Sequence, residues 1–139
     1  MRTDILEQAQ AIRAATVRAL GHVTEDNERL EVSVLYPKWI AGSHTVGEVY
    51  SANGQVWECF QAYDNAVYPD ITPDGAAWGT FHRPLHATKP ETARPFVAPT
   101  GAHDIYKSGE YMTLDGTLYK CLQDTAYSPT EYAAAWEAV

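Results

Sequence analysis

The amino-acid sequence predicts a mainly β chain with an N-terminal α-helix and two small antiparallel β-hairpin modules joined by a Pro-rich linker. Three observations lead to this fold class. Apolar residues near the start recur at helical spacing, a fifteen-residue segment with a central glycine turn occurs twice, and prolines cluster between the two copies. Each observation predicts one part of the chain.

The helical pattern lies between residues 3 and 20. Apolar and small side chains recur there at alternating steps of four and three residues, at Ile5, Ala9, Ile12, Thr16 and Ala19. Gly21 follows as a stop signal, residues 24–30 suit one more helical turn, and residues 31–35 alternate like an edge strand. Because a short helix is marginal alone, its stripe must be covered by the rest of the chain or by another chain in an assembly.

The repeat comprises residues 47–61 and 109–123, which align without a gap and share five of their fifteen positions. The dipeptides Asn53-Gly54 and Asp115-Gly116 stand at the centre of the two copies. Such dipeptides are typical of type I′ turns, in which both central residues have positive φ. Each copy therefore predicts a β-hairpin with a two-residue turn.

The core of each hairpin is predicted from the alternation along its second strand. One face carries an aromatic residue and a cysteine, Trp57 and Cys59 in the first copy, and Tyr119 and Cys121 in the second. We expect both cysteines to be buried and unbonded. All four tryptophans are expected in the core: Trp39, Trp57, Trp78 and Trp136. Trp78 ends the first copy and Trp136 ends the second.

The region between the copies is rich in proline, with Pro84, Pro90, Pro95 and Pro99. Because proline stiffens the chain and removes a backbone donor, this region is predicted to be a semi-rigid, extended connector. The predicted organisation is a helical segment at 1–35, a first module at 36–83, a Pro-rich linker at 84–95 and a second module at 96–139.

Charge and hydropathy exclude several classes of function. With a net charge of -8, the chain repels phosphate backbones and anionic lipids, so neither nucleic acid nor a membrane is expected as a partner. No apolar run approaches the length of a membrane span, and the N-terminus lacks the pattern of a secretory signal peptide. A role outside the cell would therefore require release by lysis or transport on a particle.

Catalytic and metal-binding patterns are also lacking. His82 and His86 have the spacing of a shared helical face, but Pro84 between them excludes a regular helix. The sequence contains no phosphate-binding glycine loop and no nucleophile elbow, and the acidic residues of 64–74 have the setting of solvated turns. We predict a protein that is not an enzyme, with no catalytic residue, cofactor or metal site.

Four tyrosines are the candidate carbohydrate-binding residues: Tyr68, Tyr127, Tyr63 and Tyr132. A pyranose ring has an apolar face of C–H groups that can stack on an aromatic ring. Tyr68 and Tyr127 are the main candidates, because each lies in the loop after its hairpin and beside a proline that makes the platform rigid. The alternative is that these rings pack into the core with only the hydroxyl in water.

Both copies resemble the carbohydrate-binding modules of families 5 and 12, the chitin-binding type 3 group. The second copy follows their motif through Tyr106, Gly109-Glu110, Gly116, Tyr119-Lys-Cys121, Tyr127-Ser-Pro129 and Trp136. The first follows it through Trp39, Gly47-Glu-Val49, Gly54, Trp57-Glu-Cys59, Tyr68-Pro69 and Trp78. The resemblance implies a small twisted antiparallel fold that binds an insoluble β-linked polysaccharide through Tyr68 and Tyr127. The family has tryptophan at this position, so two tyrosines predict weaker stacking.

The layout also resembles small phage and prophage tail-region proteins, in which a helical segment precedes such modules and a stretch like residues 99–104 introduces the second. This resemblance implies a virion or tail-associated protein, outside the host after lysis, that touches a polysaccharide of the host cell surface. The N-terminal helix would form a homo-oligomer or join a larger phage structural protein. The alternative is a purely structural tail or assembly protein, whose modules are folded spacers that bind no sugar.

Overall fold

A computed structural model of the protein describes residues 2–139. Strands account for 26% of it and helices for 24%, so strand only slightly exceeds helix and the chain is mixed rather than mainly β. Within this range the helices are α1 (Arg2–Leu20), α2 (Asp26–Glu31) and α3 (Trp78–Phe81). Short 3-10 turns occur at Ser33–Leu35, Pro90–Thr92 and Ala133–Ala135.

The strands are short and form three small sheets. In chain order they are β1 (Ser43–His44), β2 (Val49–Ala52), β3 (Gln55–Cys59), β4 (Tyr63–Asp64), β5 (His82–Pro84), β6 (Arg94–Pro95), β7 (Tyr111–Leu114), β8 (Thr117–Cys121) and β9 (Trp136–Ala138). One sheet pairs β1 with β4, the second has the order β2-β3-β5, and the third has the order β6-β7-β8-β9. The pairing of β6 with β7 is parallel, and the other pairings are antiparallel.

The N-terminal helix is confirmed, and so is the short helical turn after it. Leu20 at the C-terminal end of α1 is buried, whereas Ile5, Leu6 and Ile12 are exposed. The described part of the chain therefore leaves most of the predicted apolar stripe uncovered.

The edge strand predicted for residues 31–35 is wrong. α2 continues to Glu31, and a 3-10 turn follows at Ser33–Leu35. Leu30 and Tyr36 are the side chains that enter the core, while Val34 is exposed to solvent. Leu30 therefore reaches the core from α2, and Tyr36 reaches it from the residue after the 3-10 turn.

Both glycine turns have the predicted geometry. φ is 54° at Asn53 and 75° at Gly54, and it is 52° at Asp115 and 80° at Gly116. Positive φ at both central residues is what a type I′ turn requires. The turns join β2 to β3 and β7 to β8 in antiparallel register.

The two copies also share their hydrogen bonds. Gly47 N–H donates to the Cys59 carbonyl at 2.8 Å, and Gly109 N–H donates to the Cys121 carbonyl at 2.9 Å. Both cysteines are buried and form no disulfide, as predicted. Each thiol donates a hydrogen bond to the carbonyl of the glutamine two residues later. We call residues 38–84 the first repeat and residues 95–138 the second repeat.

The strand that pairs with the second strand of each hairpin, β5 in the first repeat and β9 in the second, corrects the predicted end of the first repeat. Cys59 pairs with His82 across β3 and β5, and Cys121 pairs with Trp136 across β8 and β9. His82, not Trp78, therefore occupies the position of Trp136. The longer loop of the first repeat places Trp78 in α3 instead, where its ring packs against Trp57 with centroids 5.4 Å apart.

Residues 84–95 are extended over part of their length, with 84–87 and 92 buried and 88–91 exposed. Leu85 and Ala87 are buried, and the Ala87 carbonyl accepts a 2.9 Å hydrogen bond from Tyr111 N–H. Further along, β6 adds a parallel strand to β7. This segment therefore joins the two repeats and packs against both of them.

Asn27 in α2 explains why this segment is fixed. Its buried side-chain oxygen accepts hydrogen bonds from Thr88 N–H at 2.8 Å and from the Thr92 hydroxyl at 2.7 Å.

Asp26 binds the guanidinium of Arg83 through two hydrogen bonds of 2.7 Å. Although burial alone would raise it, these bonds hold the pKa of the Asp26 carboxyl below its usual range.

The buried apolar residues form three clusters. The first joins the helical segment to the first repeat and the Pro-rich region, through Leu20, Leu30, Tyr36, Val49, Val56, Leu85 and Ala87. The second lies in the second repeat, around Tyr106, Met112, Cys121, Ala135 and Trp136. The third lies on the other face of the first repeat, around Tyr50, Trp57, Cys59 and Tyr63. Trp39 and Trp78 pack against the third cluster and are partly buried.

Candidate functional site

The four candidate tyrosines divide into three accessible rings and one buried ring. Tyr68 and Tyr127 are 63% and 55% exposed, and Tyr132 is 41% exposed. Tyr63 is only 8% exposed. The structure therefore leaves three rings free to meet a ligand.

Tyr127 is held in place by its backbone. Its carbonyl accepts a 2.9 Å hydrogen bond from the indole Nε1–H of Trp136, and its N–H donates to the Thr125 hydroxyl at 3.0 Å. Trp136 is itself buried in the second repeat. The exposed ring is thus attached to a loop that the core of its own repeat fixes.

The turn after Tyr127 is a capping box that the sequence analysis missed. Ser128 N–H donates to the Glu131 carboxylate at 3.1 Å, and Glu131 N–H donates to the Ser128 hydroxyl at 3.3 Å. The spacing of serine and glutamate in 128–131 is the signal that could have identified it. Tyr132 follows directly, and its hydroxyl accepts a 3.0 Å hydrogen bond from Gln123 Nε2. The capped turn therefore brings Tyr127 and Tyr132 into one short loop.

Tyr68 lies in a loop that Asp64 organises. Tyr68 N–H donates to the Asp64 carbonyl at 3.0 Å, and the Asp64 carboxylate accepts from Ala66 N–H at 2.9 Å. The Tyr68 carbonyl accepts from Ile71 N–H at 3.1 Å, and Ile71 packs against the core of the first repeat. Tyr68 therefore repeats the arrangement of Tyr127, an exposed ring on a core-anchored backbone.

Tyr63 is a core residue, which corrects its prediction as a carbohydrate-binding residue. Pairing with His44 in β1 turns its side chain inward. The hydroxyl accepts from the indole of Trp39 at 2.8 Å and from the Tyr50 hydroxyl at 2.9 Å, and it donates to Nε2 of His82 at 2.8 Å. A buried ring with three hydrogen bonds has no face to offer a sugar.

The same network fixes His82 as a neutral ring. Its Nδ1–H donates to the Trp78 carbonyl at 3.2 Å, which leaves Nε2 to accept from Tyr63. Burial lowers the pKa of His82 to about 4. Burial also raises the pKa of Tyr50 far above its ordinary value. These groups are enclosed and mutually satisfied, which suits a structural role in the core.

Among the side chains that the structure describes, no group of three His, Cys, Asp or Glu residues could hold a metal ion. Within residues 2–139, none of the helices combines the length and hydropathy that crossing a membrane requires. A scan of the sequence against protein-family models finds no match, and a search of curated proteins finds no significantly similar sequence.

Proposed function

We propose that the protein is a non-catalytic carbohydrate-binding protein that holds a polysaccharide through Tyr68 and Tyr127, with Tyr132 as an accessory contact. The observation that carries the proposal is the same in both repeats: a solvent-exposed tyrosine stands on a loop whose backbone is bonded to a buried core. Because these hydrogen bonds already order the backbone of the loop, binding costs little further backbone entropy, and more of the stacking energy is available for affinity.

Each platform is expected to bind weakly alone. One stacked aromatic ring with a few solvated hydrogen bonds contributes about 1–3 kcal/mol before ordering costs. In the second repeat, the amide of Gln123 and the hydroxyl of Tyr132 lie within 3.0 Å of each other and are suited to sugar hydroxyls. Two platforms on one chain, multiplied by any oligomer, raise the effective concentration and gain roughly 10²–10⁴ in avidity.

The proposal includes the relation between the repeats. We interpret them as two small antiparallel β-hairpin modules of one kind, similar to carbohydrate-binding modules of families 5 and 12. Residues 84–95 connect the modules and pack against both. The shared hydrogen bonds of Gly47 with Cys59 and of Gly109 with Cys121 support a common origin.

We further propose that the protein is part of a phage or prophage virion and contacts the host envelope from outside after lysis. Helix α1 supplies the attachment, because Ile5, Leu6 and Ile12 present exposed apolar side chains. Such a helix is suited to a homo-oligomer or to a larger phage structural protein.

The test is retention of the protein on insoluble polysaccharides, including chitin, cellulose and cell-wall material from candidate hosts. The parent should be retained, with little response to salt. The double variant Tyr68→Ala with Tyr127→Ala should lose retention by at least about tenfold, since both stacking surfaces are removed. Its melting temperature should stay close to the parent value, because both rings are exposed.

The matched control is Tyr68→Phe with Tyr127→Phe, which keeps both aromatic faces and should keep most of the retention. If the alanine variant is retained as well as the parent, or if the parent is retained by no polysaccharide of a broad panel, binding through these tyrosines is excluded. The alternative of a structural tail protein with folded spacers then replaces it.

A further inference from the structure

In the second repeat, the outer edge of β7 is covered by another part of the chain. Ala87 forms a bridge with Tyr111, whose N–H donates to the Ala87 carbonyl at 2.9 Å. One residue earlier, His86 lies flat on the ring of Tyr106, with centroids 4.0 Å apart and 8° between the planes. Its Nδ1–H donates to the Glu110 carboxylate at 3.0 Å, and Glu110 is left with a side chain only 15% exposed. We call residues 85–88 the covering segment.

The first repeat has the same edge, and the described part of the chain supplies no covering segment for it. Alignment of the two copies makes Val49 the counterpart of Tyr111, Glu48 that of Glu110, and His44 that of Tyr106. A cavity of about 610 Å³ lies between these three residues and the helical segment, where Leu20, Gly21 and Arg29 line it. Oε2 of Glu48 accepts from His44 Nδ1 at 3.2 Å and from Thr45 N–H at 2.6 Å, which leaves Oε1 of this 41% exposed side chain for a partner. Ile40 and Val46 are exposed at the rim.

The rest of the edge is filled in the same way in both repeats, so the comparison is direct. Trp39 N–H donates to the Ser51 carbonyl at 2.8 Å, and Phe96 N–H donates to the Thr113 carbonyl at 2.8 Å. A parallel segment of the chain therefore occupies one half of each edge. The repeats differ at the other half of this edge, at Val49 of β2, where the cavity lies and the pairing of Ala87 with Tyr111 has no counterpart among the described residues.

We propose that this cavity binds an extended segment of a partner polypeptide, which adds a short antiparallel strand to β2 at Val49. Binding of this kind obtains affinity from backbone hydrogen bonds and specificity from alternate side chains. The covering segment specifies the partner: a small residue lies opposite Val49, and the residue before it carries a planar N–H donor. That donor, a histidine or arginine side chain, reaches the carboxylate of Glu48.

The size of the cavity agrees with such a partner. A volume of about 610 Å³ lies within the usual range for binding clefts. Arg29 in the lining is paired with Glu58, so Lys38 and Glu48 are the charged side chains left to face a partner. The site is separate from Tyr68, Tyr127 and Tyr132, so it does not depend on carbohydrate binding.

The experiment titrates the ¹⁵N-labelled full-length protein with a blocked synthetic peptide that copies residues 84–89. We expect saturable amide shifts concentrated in residues 46–50, with a Kd on the order of 0.1–1 mM because the contact is short. Absence of saturable shifts up to about 10 mM peptide, about tenfold above that Kd range, would overturn the proposal. Shifts confined to residues 109–112 would overturn it too, since the peptide would then only compete with the covering segment.

Two variants locate the site. A peptide with alanine in place of its histidine should bind about tenfold more weakly, because a hydrogen bond to a carboxylate is lost. Val46→Arg in the protein should weaken binding at least about tenfold, through bulk and repulsion at the rim. The matched control is Val34→Arg, which places the same charge at another exposed valine and should bind like the parent. Equal binding by Val46→Arg and Val34→Arg contradicts the assignment.

Discussion

Among single residues, two tyrosine hydroxyls in the core differ in their hydrogen bonding. The Tyr36 hydroxyl is buried and has no hydrogen-bond partner within the described range, whereas the Tyr63 hydroxyl has three partners. Tyr36→Phe should therefore raise the free energy of unfolding by about 1 kcal/mol, and Tyr63→Phe should lower it by about 1–3 kcal/mol. Urea unfolding of both variants measures this, and the reverse order of stabilities would contradict the two assignments.

His82 should make the stability depend on pH. The pKa of the folded state is about 4, below the ordinary value of 6.5, so the unfolded state binds the proton first as the pH falls. The contribution is fully present above pH 6.5, and the free energy of unfolding should fall by up to about 3 kcal/mol between there and pH 4. The pKa of Asp26 is also lowered in the folded state, so this group too costs stability as the pH falls, but its loss of stability begins only near the ordinary value of 3.8. The two effects therefore occupy separate pH windows.

Urea unfolding between pH 4 and pH 7 tests the role of His82. His82→Gln should remove most of the decrease seen in this window. His103→Gln, at an exposed histidine, is the matched control and should keep it. An equal decrease in all three proteins would assign the effect to other groups.

Among the elements, the two hairpins depend on their turn glycines. Gly116 has φ of 80°, and a Cβ there would meet no atom within 4 Å, so a substitution costs backbone strain and causes no clash. Gly116→Val should therefore lower the free energy of unfolding by about 1–3 kcal/mol. The melting temperature by circular dichroism measures the loss, with the exposed neighbour Thr117→Val as the control. Equal melting temperatures for the two variants would show that the turn tolerates a β-branched residue.

The sequence alone was sufficient for the elements that local chemistry determines. Helix α1 follows from its spacing, and the hairpins follow from Asn53-Gly54 and Asp115-Gly116, because a two-residue turn fixes the register of its strands. For Tyr68 and Tyr127 the sequence left two alternatives open, an exposed ring or a ring packed in the core, and the structure shows both rings exposed.

Elements that depend on distant contacts could not be predicted in this way. The positions of Thr88 and Thr92 depend on Asn27, which lies about sixty residues away in sequence. Tyr63 is buried because Trp39 and His82 meet its hydroxyl. No sequence motif indicates that His82 would replace a tryptophan at the end of the first repeat, since that equivalence follows from strand pairing.

For the whole molecule, helix α1 is expected to mediate assembly. A shortened chain that begins at Ala19 keeps the buried Leu20 and loses the exposed Ile5, Leu6 and Ile12. Its melting temperature at low concentration should match that of the full chain, since Ile5, Leu6 and Ile12 are exposed in the protomer. Analytical ultracentrifugation should find an oligomer for the full chain and a monomer for the shortened one. Identical masses would exclude homo-oligomerisation through this helix, and a partner of another sequence would then be needed.

The sealed positions of Cys59 and Cys121 have a consequence for chemical reactivity. Each thiol has no exposed surface, and burial raises the pKa of Cys121 to about 11, so little reactive thiolate forms at neutral pH. Copies of the protein held close together in oxidising surroundings should therefore not cross-link through disulfides. The two thiols also lie in different clusters, one in each repeat. The rate at which each cysteine reacts with a thiol reagent should depend on how often its own repeat opens. The two rates therefore measure the local opening of the two repeats separately.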